Sequence, residues 1–322
     1  MKNQLFVVLA VLFTLSIQQA DAQTSLTPGT STPEQMQATL RKQAKEIIQA
    51  KEWEDRLRAD SLFTRTLVQT LKSSYSFNFP FDSLETISVL YAPDSTFRIF
   101  SWQLMKDFTF YRQKGAIQYN TPDGKLKLTP LFDVSPFTDA PCDSVRDASQ
   151  WIGAVYYKIL LNTERGKKYY TLLGYDENDA RSTRKWMEVL TFTDQGVPKF
   201  GGNYFEYQSD DTKPPVPAFR FYLEYKKGGN ARFNYDEDLK MITFAHLVSE
   251  NGVPAAHYTL VPEGSFEGFK WMNGKWVHIP FVDELDPNKA INIPKQPAIQ
   301  PVPGAGLPKP KKRKSGLGGI NN

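Results

Sequence analysis

The spacing of apolar positions divides this chain of 322 residues into regions of different type. In residues 33–79, apolar side chains recur at roughly helical spacing among charged ones, and no Gly or Pro follows Pro33 in this stretch. Thr32 before Pro33 is a typical helix start. The pattern predicts an amphipathic helical segment, either one long helix or two that break near Asp60 and Ser61. Its apolar face would pack on the rest of the chain or on a coiled-coil partner, although sustained heptads are absent.

Residues 80–285 have a different pattern, in which short β-branched and aromatic runs alternate with turn signals. One such signal is Asn273-Gly274, a pair favoured in two-residue hairpins. About a dozen strands joined by short turns, without a long helix between them, predict a mainly β fold. We expect a large antiparallel up-and-down meander, either sandwich-like or barrel-like. A propeller fits less well because no fixed-period repeat is evident.

The first 22 residues have the character of a secretory signal peptide. Lys2 supplies a positive start, and the segment from Leu5 to Ile17 is almost wholly apolar. Small residues at positions 20 and 22 predict signal-peptidase cleavage between Ala22 and Gln23. The apolar segment is too short to span a bilayer comfortably. These features predict a processed protein without a transmembrane segment, located in the periplasm or secreted.

Both ends of the mature chain have low complexity. Residues 23–32 form a Ser-, Thr- and Pro-rich leader, and residues 286–322 form a Pro-rich tail whose composition favours extended or disordered chain. A basic cluster near the end of the tail could bind an anionic surface weakly: Lys309, Lys311, Lys312, Arg313 and Lys314. The alternative is a solvated tail without a binding role.

The net charge of the chain argues against a general basic binding face. The formal net charge of +4 is smaller than the five positive charges of the tail cluster. The rest of the mature chain is therefore slightly negative, and no general basic face is implied.

Cys142 is the only cysteine, so the chain forms no intramolecular disulfide. Because Asp139 and Asp143 lie close to it in sequence, we expect an unreactive thiol.

Candidates for catalysis and metal binding are few. The three histidines, His246, His257 and His278, match no HExxH motif or short ligand pair. We expect hydrogen-bonded structural roles for His246 and His278, which lie at the ends of predicted strands. The run Asp176–Asp179 resembles a calcium loop but lacks the required glycine, so we interpret it as a polar hairpin tip. No GxSxG elbow, P-loop or GxGxxG motif occurs. The sequence predicts no cofactor and no metal, and it identifies no catalytic residue.

Several predicted strands contain aromatic doublets, such as Tyr156-Tyr157 and Tyr169-Tyr170. Because strand residues alternate between the two faces of a sheet, some of these rings could point to solvent and bind sugars or peptides. Filling of the hydrophobic core is the alternative explanation.

Four segments are distinctive as a set: Phe97–Trp102, Tyr169–Tyr175 running on to Arg184–Leu190, Ile242–Val248 and Gly268–Val277. Together they resemble a group of exported Bacteroidota proteins that has no established activity. The resemblance covers residues 80–280 and implies a β-rich fold and an envelope or secreted location. Ala245 departs from the pattern, which has an acidic residue there. No catalytic residue follows from the resemblance.

We therefore expect an exported, non-enzymatic β-rich protein that binds or scaffolds an envelope or extracellular partner. The alternative is a secreted hydrolase that acts on glycan or peptide through paired carboxylates. Two carboxylates converging in a cleft would favour the hydrolase, and an aromatic or featureless surface would favour the binding protein.

Overall fold

The computed structural model describes residues 33–282, which fold mainly as β-sheet after an N-terminal pair of helices. Several predictions concern residues outside this range: cleavage between Ala22 and Gln23, and surface binding by Lys309, Lys311, Lys312, Arg313 and Lys314. Within residues 33–282, no helix combines the length and apolar character that a membrane crossing requires.

The helical segment consists of α1 (Pro33–Gln49) and α2 (Trp53–Leu71). Two helices were one of the predicted outcomes, but they break at residues 50–52 and not near Asp60. The Arg56 guanidinium stabilises this break because it donates hydrogen bonds to the carbonyl oxygens of Ala50 and Lys51. Asp60 lies inside α2, where it is buried and accepts a hydrogen bond of 2.8 Å from the Trp102 indole.

Fifteen strands follow in the described part of the chain: β1 (Ser88–Tyr91), β2 (Phe97–Asp107), β3 (Phe110–Tyr119), β4 (Lys127–Phe132), β5 (Arg146–Asp147), β6 (Val155–Glu164), β7 (Lys167–Asp176), β8 (Ser182–Phe192), β9 (Pro198–Phe200), β10 (Phe205–Glu206), β11 (Phe221–Lys226), β12 (Phe233–Asp236), β13 (Met241–Ser249), β14 (Leu260–Met272) and β15 (Lys275–Ile279). The number exceeds the dozen that the sequence pattern predicted. The longest strand is β14, in which Pro262, Phe266 and Glu267 continue the pairing with β13 across a shift in register between Ala245 and Leu247.

The strands form three open sheets. The helix-side sheet has the order β1-β2-β3-β4, the central sheet β5-β9-β8-β7-β6 with β11 also on β8, and the outer sheet β10-β15-β14-β13-β12. Pairing between the strands is antiparallel except for β10 with β15. The β14–β15 hairpin turns at Asn273 and Gly274, both with positive φ, as the Asn-Gly pair predicts.

These sheets are stacked face to face, so the sandwich-like alternative describes the fold. The helices pack on one face of the helix-side sheet, around Phe63, Phe100 and Trp102. A second core lies between the helix-side and central sheets. A third core, which includes Phe221 and Phe244, lies between the central and outer sheets. The molecule thus has four layers.

The central sheet is buried on both faces, and its sequence shows why. In β8, Trp186 and Leu190 belong to the core on the helix side, whereas Met187 and Val189 belong to the core on the outer side. Alternation along a strand sends neighbouring residues to opposite faces. The run Trp186–Leu190, apolar except for the buried Glu188, therefore provides one face for each neighbouring layer.

Candidate functional site

Two polar networks, each centred on a buried glutamate, bring together side chains from distant parts of the described chain. The Glu224 network consists of Asn178, Ser182, Arg184, Glu224 and His257. The Glu267 cluster consists of Asp210, Lys213, His246, Glu267 and His278.

In the Glu224 network, both carboxylate oxygens of Glu224 accept hydrogen bonds from side chains. Glu224 on β11 lies directly opposite Arg184 on β8, whose Nε donates to Glu224 Oε2 at 2.7 Å. The Ser182 hydroxyl donates to Oε1 at 2.6 Å. The Nε2–H of His257 donates to the Asp211 carbonyl oxygen, so Nδ1 faces Glu224 Oε2 at 3.7 Å. The network ties the central sheet to the segments around Asp211 and His257.

Opposite effects act on the pKa of Glu224. Burial raises it, but the charges and hydrogen bonds of His257, Arg184 and Ser182 outweigh burial and bring the pKa to about 2. The neighbouring Glu224 carboxylate in turn raises the pKa of His257 above its ordinary value. The site therefore favours a carboxylate anion beside an imidazolium cation.

This pair predicts a stability optimum in mildly acidic solution. The stabilising contribution of His257 is complete below about pH 6.5 and is lost as the pH rises through the pKa of the folded protein. The contribution of Glu224 is complete above about pH 4.5 and is lost as the pH falls toward 2. Urea unfolding across this range should show a smaller loss above pH 6.5 for His257→Gln than for the wild type. An identical pH profile for His257→Gln would contradict the pairing.

The Glu267 cluster joins three strands of the outer sheet to the segment before β11. His246 Nδ1 donates to Glu267 Oε1 at 2.6 Å, and His278 Nε2 donates to Oε2 at 2.5 Å. The Lys213 ammonium lies 3.2 Å from Glu267 Oε2 and 2.7 Å from Asp210 Oδ2. Burial raises the pKa of Glu267, but its hydrogen bonds and the charge of Lys213 outweigh burial and lower it. The expectation of hydrogen-bonded histidines is confirmed for His246 and His278.

Two further carboxylates meet around Gln113. Asp133 accepts from the backbone N–H groups of Gln113, Ser135 and Gly153 at 2.9 to 3.1 Å. Asp176 Oδ1 accepts from the Gln113 side chain at 2.7 Å, and burial raises the pKa of Asp176 to about 6. The backbone bonds to Asp133 are those of a structural carboxylate that holds loops together.

The acidic run Asp176–Asp179 connects β7 to β8, as the hairpin-tip interpretation predicted. Asp176 Oδ1 accepts from the Asn178 N–H, and Asp179 Oδ1 accepts from the N–H groups of Arg181 and Ser182. These bonds close the turn on itself. Across residues 33–282, no three His, Cys, Asp or Glu side chains are arranged to hold a metal ion.

Cys142 is buried beside the core between the helix-side and central sheets. Burial raises the pKa of its thiol to about 12, an effect that the positive charge of Arg220 only partly offsets. The thiol is the inert form at neutral pH, in agreement with the sequence analysis, although burial and not the flanking carboxylates is the main cause.

The predicted aromatic doublets are divided between the two cores. Tyr156 and Tyr170 pack on the helix side of the central sheet, and Tyr157 and Tyr169 pack on its outer side. These rings fill the core because the central sheet is covered on both faces.

Two exposed phenylalanine rings lie elsewhere. Phe132 at the end of edge strand β4 is 58% exposed, and Phe137 in the following 3₁₀ turn is 85% exposed. Only four residues separate them, and the exposed Pro136 directly precedes Phe137. We call this pair the Phe132–Phe137 surface. Sequence patterns did not single it out, although an aromatic residue after a proline in a turn-rich stretch was the available signal.

No protein-family model, curated protein or solved structure matches this chain.

Proposed function

We propose that this chain is an exported, non-enzymatic binding or scaffold protein of the cell envelope. Export rests on the signal-peptide character of residues 1–22 and on the resemblance to exported Bacteroidota proteins. Binding rests on the Phe132–Phe137 surface.

The observation that carries the proposal is the exposure of two phenylalanine rings close together in the chain. Single exposed apolar residues are common on soluble proteins. Two exposed aromatic residues five positions apart, on an edge strand and its adjoining turn, are more typical of a contact surface, because buried aromatic side chains dominate binding energy at protein interfaces. The backbone beneath Phe132 is fixed, since the Trp151 N–H donates to the Phe132 carbonyl oxygen at 3.0 Å.

The alternative hydrolase would need one carboxyl group to give a proton and a second carboxylate to act as base or nucleophile. Among the described residues, Asp176 has the raised pKa of a proton donor. Its neighbour Asp133 is bound by three backbone N–H groups, and both oxygens of Glu224 are occupied by side-chain donors. These bonds favour structural roles, and therefore the binding protein.

Site-specific photocrosslinking in the native host tests the proposal. A photoreactive phenylalanine analogue at position 137 should give a discrete crosslinked product in the envelope or secreted fraction. The matched control is position 108, an exposed phenylalanine in the turn between β2 and β3. Phe132→Ser should weaken the product formed at position 137. The proposal fails if position 137 gives no product, or the same products as position 108.

A further inference from the structure

Arg232 lies on the outer face of the outer sheet. It directly precedes β12, and its carbonyl oxygen accepts a hydrogen bond of 2.9 Å from the Ala245 N–H of β13. The next residue, Phe233, packs in the core between the central and outer sheets. Strand alternation therefore places the Arg232 side chain on the opposite face. There its guanidinium carbon lies 5.6 Å from the centre of the Phe266 ring.

The Arg232 guanidinium lacks hydrogen-bond acceptors within residues 33–282. Its side chain is only 10% exposed, and both Nη1 and Nη2 are buried without an acceptor. Nη2 lies 4.0 Å from Asp236 Oδ2, which is beyond hydrogen-bond distance. Asp236 is held in place by its own turn, because its Oδ1 accepts from the backbone N–H groups of Asp238 and Leu239.

The charge of Arg232 makes these missing acceptors costly. Burial lowers the pKa of Arg232, an effect that Asp236 only partly offsets. An arginine nevertheless stays charged at physiological pH, so the group does not escape the cost by losing its proton. A buried charge requires a partner that also accepts its hydrogen bonds.

The described part of the chain ends next to this guanidinium. Val282 is the last described residue, and its N–H donates to the Phe266 carbonyl oxygen at 2.9 Å. Gly268 alternates with Phe269, which belongs to the core, so a Cβ on Gly268 would point to the outer face. That Cβ would lie 3.1 Å from Val282 Cγ2. Val282 is therefore on the same face of the sheet as Arg232.

The residues that follow Val282 carry the acceptors that Arg232 lacks. Asp283, Glu284 and Asp286 come within four positions of Val282, whereas residues 287–322 contain neither Asp nor Glu. Two to four extended residues span roughly 7–13 Å. The guanidinium is therefore within reach of this acidic segment, since it lies over the ring of the residue to which Val282 binds.

We infer that residues 283–286 dock on the outer face of the outer sheet, where their carboxylates accept hydrogen bonds from Arg232. A guanidinium binds a carboxylate through two parallel N–H···O bonds, and Nη1 and Nη2 are the nitrogens without acceptors. Because the segment is covalently joined to Val282, its effective concentration at Arg232 is roughly millimolar, and an acidic partner would have to displace it. The docked segment fixes the base of the tail that carries the basic cluster.

Paramagnetic relaxation in NMR spectra of the full chain tests the inference. A nitroxide label is placed at position 290 by Ala290→Cys, and Cys142 stays unlabelled because it is buried and the pKa of its thiol is about 12. The backbone amide signals of Phe233 and Ala245 should lose most of their intensity relative to the reduced label. The same label on Ser315→Cys, far along the tail, should leave these signals largely unchanged.

Substitutions in the chain labelled at position 290 separate docking from mere proximity. Arg232→Met should restore most of the lost intensity, and so should the triple variant Asp283→Asn, Glu284→Gln, Asp286→Asn. Lys270→Met is the matched control, because it removes an exposed positive charge from the same face of β14. It should leave the intensity loss as it is in the parent chain.

The inference is wrong if the parent chain shows no intensity loss, or if Arg232→Met or the triple variant retains the full loss. It is also wrong if Lys270→Met restores as much intensity as Arg232→Met does. If Arg232→Met does not fold, the triple variant still decides, because it changes no residue within 33–282. This docking is independent of the Phe132–Phe137 surface, so either experiment can fail while the other succeeds.

Discussion

Replacing Arg220 by methionine is expected to lower the free energy of unfolding by about 3–5 kcal/mol. Arg220 is 1% exposed and its Nε donates to Glu188 Oε2 at 2.8 Å. Its other nitrogens donate to the carbonyl oxygens of Pro141, Ser144 and Phe200 at 2.8 to 2.9 Å. The substitution leaves a buried carboxylate without its counter-charge and three carbonyl oxygens without their donor. Urea unfolding measures the loss.

A double-mutant cycle distinguishes this explanation from a simple packing defect. Glu188→Met combined with Arg220→Met removes both charges, so the double variant should be less destabilised than the sum of the two single variants. Tyr156 limits the recovery, because its hydroxyl also donates to Glu188. If the loss of unfolding free energy in the double variant equals the sum of the two single losses, the two charges are not coupled in the folded protein.

Replacing Lys185 by methionine is expected to have the opposite sign, raising the free energy of unfolding at pH 7 by roughly 3 kcal/mol. The pKa of Lys185 falls from 10.5 to about 8 on folding, and each unit corresponds to about 1.4 kcal/mol. Methionine fills a similar volume without a charge to desolvate.

The pH dependence supplies the control for this variant. Between about pH 8 and 10.5 the unfolded chain binds more protons at Lys185 than the folded chain does. The stability of the wild type should therefore rise with pH in this window, and the rise attributable to Lys185 should be absent from Lys185→Met. The exposed Lys270→Met should change stability by no more than about 0.5 kcal/mol. A destabilised Lys185→Met would mean that Lys185 makes a favourable interaction in the folded protein.

The layer order of this fold lies beyond what its local sequence could predict. Turn chemistry at Asn273-Gly274 and the alternating runs predicted most strands, because these signals depend on neighbouring residues. The Tyr156-Tyr157 doublet was open to a solvent-facing interpretation, since its sequence does not show that both faces of the central sheet are covered. Asp60 was interpreted as a helix break, although it binds Trp102 across 42 residues.

The buried charges were still less accessible to sequence reasoning. Arg220 and Glu188 are 32 residues apart in the chain. His246 and His278 both bind Glu267, although the three residues lie in three different strands. Such partners depend on strand order, which spacing along the chain does not determine. For Lys185, the available signal was a lysine directly before the run Trp186–Leu190, but its lack of a partner is a property of the packed layers.

An NMR titration of the lysine side chains of the full chain, with Lys185→Met to assign the signal, is the most direct test of this account. Lys185, buried between the central and outer sheets, should titrate near pH 8. Titration at the ordinary lysine value of 10.5 would contradict the burial of Lys185 between these sheets.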